Sequence, residues 1–546
     1  MLGLMQDRPL LISSLLTHAE RYHPRSEIVS VTCEDEIHRT DWAGIARRAR
    51  KAAQALRRLG VKPGDRVGTL AWNTHRHLEL YYAAAGIGAV LHTVNPRLFP
   101  DQIEYILNHG AAEVLLFDAP FLDLVDGLAD RLKTVKHRVV LSPASHMPKG
   151  RADLSSYEAL LASEDGALDW PVFDEKQASG LCYTSGTTGN PKGVLYSHRS
   201  TVLHAFLCCQ VDGLQLSRAD ATLLAVPLFH VNAWGIPYAS ALCGAKLVLP
   251  GPKLDGKSLY DLARAEECTF SLGVPTVWIG LFKYLDENGI NPETLPFQRV
   301  LMGGSAAPRA LLQRFHDAGV HAFQAWGMSE TSPVATVASL LPDHRDLPKS
   351  AQIDILARQG RAMFGVDLKI VDESGAELPQ DGSVSGELMV RGPWVTSGYY
   401  GGVGGQVVDE GGWFATGDVA KIDGEGFVTL TDRSKDVIKS GGEWISSIEL
   451  ENAALGHPAV EAAAVVGVTH ERWQERPLML VVRKPGSDVA SADILSYLDD
   501  RVVRWWLPDD VVFVDHLPLT ATGKLDKKVL REAWKDHLVK VDASAP

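Results

Sequence analysis

Tyr183-Thr184-Ser185-Gly186-Thr187-Thr188-Gly189-Asn190-Pro191-Lys192-Gly193-Val194 is the stretch on which the reading of this chain turns. Four hydroxyl side chains, Thr184, Ser185, Thr187 and Thr188, are interleaved with Gly186, Gly189 and Gly193, and one lysine, Lys192, stands among them. Glycines let successive backbone N–H groups converge on an anion, hydroxyls add donors, and the lysine adds positive charge. That composition suits a polyphosphate. It is not the P-loop pattern, in which Gly-Lys-Ser/Thr opens a helix, because Gly193 and Val194 follow the lysine. Gly/Ser/Thr runs also make ordinary surface loops, so the flanks decide. Ala178 to Tyr183 and Val194 to Tyr196 read as strands, which makes the segment a tight connection.

Outward from this loop, short apolar runs alternate with helical patterns. Arg66 to Leu70, Ala89 to His92 and Glu113 to Phe117 read as strands; His77 to Ala85 and Asp101 to Asn108 read as amphipathic helices. This βαβ rhythm predicts an α/β fold with parallel sheets sandwiched by helices in a large N-terminal domain. Residues 148–166 are polar and read as an irregular excursion. Past Asp418 the texture changes. Ala420 to Asp423 and Gly426 to Thr431 form a hairpin pattern about Gly424-Glu425, and the charged run Asp432 to Asp436 follows. A smaller α+β unit is then expected. It has a helix at Ser447 to Leu455, strands at Ala462 to Val468 and Leu478 to Val482, a helix at Ala492 to Arg504 and a last strand at Asp510 to Val514. The reading is two domains, 1–434 and 435–546, the second a mobile lid of ordinary domain size.

At 546 residues the chain exceeds one core, and 45% apolar with 22% charged residues is a globular composition. A net charge of −13 argues against nucleic acid as partner, since no basic stripe offsets it. Six cysteines without paired spacing suggest reduced thiols in a cytoplasmic protein, with Cys208-Cys209 filling core space. Asp7 precedes the apolar Leu10-Leu11-Ile12 and no basic leader is present, so a signal peptide is not expected. The uncharged Ala221 to Ala245 is broken by prolines, glycines and His230, which fits core and pocket wall rather than a membrane span.

The phosphate-type loop resembles that of the AMP-forming acyl-CoA synthetase superfamily, which includes acyl-CoA ligases, firefly luciferases and the adenylation domains of peptide synthetases. Further matches follow in the superfamily's order: Pro227 to His230, Gly303 to Pro308, Trp326 to Thr331, Trp413 to Asp418, Asp432 to Asp436 with Ile438 to Glu443, and Thr520 to Lys524. The resemblance covers nearly the whole chain. It is strongest to a subgroup of medium- and long-chain fatty-acid ligases and 3-methylmercaptopropionate-CoA ligases. Its shared marks are His230 to Gly235, Tyr196 to Arg199, Asn95 to Leu98, Ile438 to Ser447 and Arg504 to Pro508.

The resemblance implies an acid–thiol ligase that uses ATP, Mg²⁺ and coenzyme A and passes through an acyl-adenylate. Lys524 would bridge the acid and the α-phosphate. Glu330 and Thr184 would contact the metal ion; magnesium needs few protein ligands because it keeps waters and phosphate oxygens. ATP or AMP would be held by Thr184, Ser185, Gly186, Thr187, Thr188, Gly189 and Lys192. Gly303, Gly304 and Ser305 would form the adenine turn, backed by Gln324, Ala325, Trp326, Gly327 and Ser329. Asp418 would take the ribose hydroxyls, two hydroxyls on one carboxylate, with Arg433 assisting. Lys435 marks the hinge, where many relatives carry aspartate. His230 would act as a gate between acyl group and thiol, with Val231 and Trp234 lining the acyl pocket. Lys439, Gly441, Gly442 and Trp444 would swing in with the lid for coenzyme A.

On composition alone a solvated Lys524 or a surface Glu330 would be the ordinary case. Other readings stand beside the first: a 3-methylmercaptopropionate- or aryl-acid-CoA ligase, an adenylation enzyme loading a separate carrier protein, a luciferase-like oxygenase, or a nucleotide-binding regulator. The partners expected are a small carboxylic acid, ATP and coenzyme A, with a homodimer and no transmembrane segment.

Overall fold

The structure is a computed structural model that describes residues 1, 3–184, 190–440, 443–520 and 525–542. Two large sheets organise the first four-fifths of the chain. In the seven-stranded sheet, Leu154–Ser156, His137–Val140, Ala112–Phe117, Arg66–Leu70, Val90–Thr93 and Ala178–Tyr183 run parallel in that spatial order. Gly193–Ser197 closes the edge antiparallel to Ala178–Tyr183. The central strands are buried on both faces, as in a sheet covered on both sides. Between them lie the helices Trp42–Arg58, His75–Gly86 and Pro100–His109, the first two capped by the Asp41 and Thr74 side chains.

The second sheet has thirteen strands and changes character along its length. Glu27–Val31, Lys246–Leu249, Ala221–Leu224, Phe270–Gly273, Arg299–Met302 and His321–Gly327 are parallel. From Val334–Val337 onward every pairing is antiparallel, through Gly360–Ala362, Phe427–Arg433, Phe414–Ile422 and Gly386–Arg391 to Asp367–Val371. The hairpin expected about Gly424-Glu425 is the Phe414–Ile422/Phe427–Arg433 pair. The parallel halves follow the rhythm legible in the sequence; apart from that hairpin, the antiparallel extension is the structure's addition.

Residues 148–166 are not irregular: Leu154–Ser156 is a strand and Tyr157–Ala162 a helix. Distant partners hold them. Buried Tyr157 donates to Glu79 at 2.7 Å, and Glu158 pairs with Arg48 and Arg76 at 2.8 and 3.0 Å. The helix expected at Ala492 to Arg504 ends earlier, as Ser491–Asp499. The β-branched Val502-Val503 pair disfavours its continuation, and a separate short turn, Arg504–Trp506, packs its tryptophans on the small core.

That small unit is a five-stranded sheet. Val460–His470, Gln474–Arg483, Ile438–Ser440 and Glu443–Ile445 are antiparallel, and Asp510–Phe513 lies parallel to Gln474–Arg483. Its two faces carry separate apolar clusters, one under the helices Ser447–Leu455 and Ser491–Asp499 and one under Lys527–Trp534. Among the described residues no helix is long and apolar enough to cross a membrane, and all six cysteines are free.

Candidate active site

Four of the segments singled out in the sequence leave the carboxyl ends of parallel strands, where open α/β sheets bind ligands. Thr184 follows Ala178–Tyr183, Pro227 to His230 follows Ala221–Leu224, Gly303 follows Arg299–Met302, and Glu330 follows His321–Gly327. The phosphate-type loop is closed at its base, where the Thr184 N–H donates to the Lys192 carbonyl at 2.9 Å. Ser185 to Gly189 lie outside the described residues, as do Gly441, Gly442 and Lys524.

One cluster is built on Asp418. Antiparallel register sets it opposite Arg433, and the Arg433 guanidinium meets its carboxylate at 2.9 Å. The Trp326 indole N–H donates to the other oxygen at 2.9 Å, and the Asp418 N–H donates to the Thr416 hydroxyl at 3.1 Å. The carboxylate is 4% exposed, so its charge is balanced and aimed rather than solvated. Next to Trp326 on the same strand, buried Gln324 accepts the Ala307 N–H at 3.0 Å and donates to the Ala357 carbonyl, fixing the turn that begins at Gly303. Gly327 admits no side chain, since a Cβ there would stand 1.7 Å from the Pro333 carbonyl oxygen.

A second cluster surrounds Glu330. Burial raises the pKa of its carboxyl, and Tyr399, Arg433 and Lys192 pull it back. The Tyr399 hydroxyl donates to Glu330 at 2.6 Å, and the Lys192 ammonium stands 4.9 Å over the Tyr399 ring. Tyr196 donates to the Ser329 carbonyl at 2.9 Å, tying the strand after the phosphate-type loop to the same turn. The Glu330 carboxylate is a hard oxygen donor of the kind magnesium takes, and its burial makes a nearby cation favourable. Tyr399 was not singled out in the sequence. The only signal for it is Gly398-Tyr399-Tyr400 ahead of a glycine-rich run.

The acyl-side segment has unusual backbone. Val231, Asn232, Ala233 and Trp234 all have positive φ, from 43° to 56°, a left-handed turn of four non-glycine residues. Each costs about 1–2 kcal/mol, so the surroundings must over-determine it. They do: Asn73 donates to the Leu224 and Val226 carbonyls at 2.8 Å and accepts the Leu228 N–H at 2.7 Å. Beyond the turn, Tyr82 donates to the Pro237 carbonyl at 2.7 Å, and the Val231 N–H donates to the Cys182 sulfur at 3.3 Å. The turn lays the Trp234 ring against Gly303, where a Cβ would meet it at 2.9 Å. Trp234 is 7% exposed, while His230 at the entry is half-buried. Beneath, His204 accepts the Val334 N–H at 3.1 Å, and burial pushes its pKa down to about 3.

The residues expected to meet coenzyme A sit elsewhere. Lys439 and Trp444 face each other on the Ile438–Ser440/Glu443–Ile445 hairpin, with Lys439 3.6 Å from Glu373. Lys435 is exposed at the surface, and partial desolvation lowers its pKa. Thus the structure gathers Asp418, Arg433 and Trp326, then Glu330 and Lys192, then Trp234 and Gly303, and leaves Lys439 and Trp444 outside that gathering.

A family model described as AMP-binding enzyme matches residues 16–400, and one described as AMP-binding enzyme C-terminal domain matches 449–524. The chain is 51% identical over 540 residues to a 3-methylmercaptopropionyl-CoA ligase of Ruegeria lacuscaerulensis, covering 98% of this chain and 100% of that protein. It is 48% identical over 549 residues to a medium-chain-fatty-acid–CoA ligase of Ectopseudomonas oleovorans, covering 100% of each. Its fold matches the crystal structure of an anthranilate CoA ligase with anthranoyl-AMP at a TM-score of 0.85 and 24% identity, over 98% of this chain and 100% of that one.

Proposed function

The chain belongs to the AMP-binding enzyme family, and from that premise we propose that it joins a fatty or related carboxylic acid to coenzyme A at the expense of ATP. A carboxylate oxygen attacks the α-phosphorus of ATP, and the bond to pyrophosphate breaks, giving an acyl-adenylate. The thiol of coenzyme A then attacks the acyl carbon, and AMP leaves. The observation that carries this reading is the Asp418–Arg433–Trp326 cluster, a buried, charge-balanced carboxylate shaped to accept two ribose hydroxyls.

In this reading Thr184, Lys192 and the Ser185 to Gly189 loop hold the phosphates, and Glu330 with Thr184 holds Mg²⁺. The ion's contribution is to offset the phosphate charge that repels an attacking anion. Gly303, Gly304 and Ser305 receive the adenine, with Gln324, Ala325 and Trp326 behind it. Trp234 and Val231 shape the acyl end, His230 stands where the thiol arrives, and Lys524 supplies the cation between acid and α-phosphate. Lys439, Gly441, Gly442 and Trp444 meet coenzyme A after the 435–546 unit turns about Lys435 relative to 1–434. The setting in this reading is a cytoplasmic homodimer. Free thiols support the compartment, and light scattering of the purified protein tests the dimer.

The experiment is a coenzyme A-dependent thioester assay beside ATP–pyrophosphate exchange, with straight-chain acids of graded length, 3-methylmercaptopropionate and aryl acids. Exchange without thioester formation on any acid would move the reading to a carrier-loading adenylation enzyme. A 3-methylmercaptopropionate ligase is the second reading, favoured by the 51% identity; the panel decides by the ratio of kcat/KM values.

A further inference from the structure

We infer that Tyr399 is a positioning residue for the first half-reaction, holding Glu330 and Lys192 at a fixed spacing through the hydroxyl and the ring face of one phenol. The inference rests on the reading of Glu330 and Lys192 as the carboxylate and the cation that meet the phosphates and their metal ion.

The hydroxyl of Tyr399 donates to one oxygen of Glu330 at 2.6 Å, a charge-assisted bond that fixes the rotation of the carboxylate. The ring face carries the Lys192 ammonium at 4.9 Å from its centroid, close enough for a cation–π attraction. A lysine on a flexible four-carbon stem at the end of a glycine-rich loop has many rotamers, and the ring selects those directed toward Glu330. The ring itself is held. It packs against Cys182, Val194 and Tyr196 and meets Phe414 edge-on at 6.5 Å between centroids. Its own segment is stitched to the Glu330 turn: Thr396 N–H donates to the Glu330 carbonyl at 2.7 Å, and Ser332 Oγ donates to the Trp394 carbonyl at 2.8 Å. A cleft of about 430 Å³ opens beside both side chains, lined also by Tyr196, Ser197 and Thr396. The carboxylate is therefore not clamped by packing alone, and the phenol orients it together with the Glu330 backbone N–H. Tyr400, its neighbour, turns instead to His109, edge-on at 5.7 Å, so the two tyrosines are not interchangeable.

The test uses the full-length enzyme with Tyr399→Phe, Tyr399→Leu, Glu330→Gln and the Glu330→Gln/Tyr399→Phe pair. Tyr399→Phe keeps the ring and removes the donor, so the Mg²⁺ concentration for half-maximal ATP–pyrophosphate exchange should rise about 10-fold, with KM for the acid unchanged. Tyr399→Leu removes the ring as well, so KM for ATP should rise by about another 5-fold. Thioester formation from a supplied acyl-adenylate should match wild type in both, and the melting temperature without nucleotide should hold for Tyr399→Phe. Calorimetric titration with ATP and Mg²⁺ gives a readout independent of turnover. If the phenol acts through Glu330, Tyr399→Phe adds nothing to binding in the Glu330→Gln background. Additive losses in the pair, or a Tyr399→Phe enzyme indistinguishable from wild type while Glu330→Gln is impaired, would overturn the inference. A Glu330→Gln enzyme with normal Mg²⁺ dependence would instead overturn the assignment of Glu330 on which it rests.

Discussion

The body that ends with the Phe427–Arg433 strand carries its candidate site on one large apolar core with two smaller clusters beside it, whereas the unit that begins at Ile438–Ser440 stands on two small cores of its own and touches the body through polar groups. Asp432 accepts the Ser447 N–H at 2.7 Å and the Ser447 hydroxyl at 2.6 Å, and Ser446 donates to the Thr431 carbonyl. Lys439 reaches Glu373 at 3.6 Å, and Lys283 reaches Glu461 at 3.7 Å. Within the small unit, Lys527 pairs with Glu451 at 2.7 Å, and Arg531 pairs with Asp436 beside the hinge. Polar contacts can be exchanged for water at small net cost, and an apolar seam cannot. The difference marks the join between the two units as one that opens at smaller cost than any seam inside the body.

Acidification is expected to break this comparison most strongly. In the body, His77, His92, His198 and His204 are buried, and burial pushes their pKa values down to about 4, 3, 4 and 3. Folded values below the unfolded 6.5 mean that stability is complete above that pH and drains away as pH falls through it. Each histidine costs about 1 kcal/mol between pH 7 and 5.5. Asp118 has the opposite sign: burial raises it to about 7, so its protonation over the same range returns about 1.5 kcal/mol. These five groups together lose about 3 kcal/mol, and all five lie in the body. Calorimetry of the whole chain at the two pH values should show the transition that AMP stabilises moving down more than the other. Equal movement of both would erase the contrast.

Next in size is Lys524→Ala set against Asp418→Ala. Removing the lid cation should slow adenylation by roughly 10²-fold and leave transfer from a supplied adenylate nearly intact. Removing Asp418 strips partners from Arg433 and Trp326; if it holds the ribose as proposed, both half-reactions should weaken by about 10-fold or more. Equal losses in both half-reactions for Lys524→Ala would make that lysine structural. At the hinge, Lys435→Pro fixes φ and should preserve adenylate formation while thioester formation falls at least about 10-fold. Normal turnover would put the pivot elsewhere.

The smallest effect sharpens the body's own interior. Trp234 occupies space beside Gly303 that acyl methylenes could take, each worth about 0.8 kcal/mol when buried. Trp234→Ala should therefore lower KM for longer acids by about 4-fold per methylene accommodated, with short acids little changed. A fall in melting temperature with the chain-length ranking unchanged would return Trp234 to the core.

The hydroxyl and glycine pattern at 183–194, the βαβ rhythm and the hairpin before Asp432 were all legible, because each is a local preference repeated at a fixed spacing. The sequence by itself determined which residue types stand at the carboxyl ends of the strands, and with them the class of ligand. It could not show that Glu158 organises 148–166, that Tyr399 touches Glu330 across 69 residues, or that Trp234 rests on Gly303. Those contacts depend on which strands become neighbours, and neighbours are chosen by burial summed over two whole sheets. The left-handed turn at Val231 to Trp234 makes the same point in reverse: local preference opposes it, and residues brought from distant parts of the chain, among them Asn73, Tyr82, Cys182 and Cys208, hold it in place.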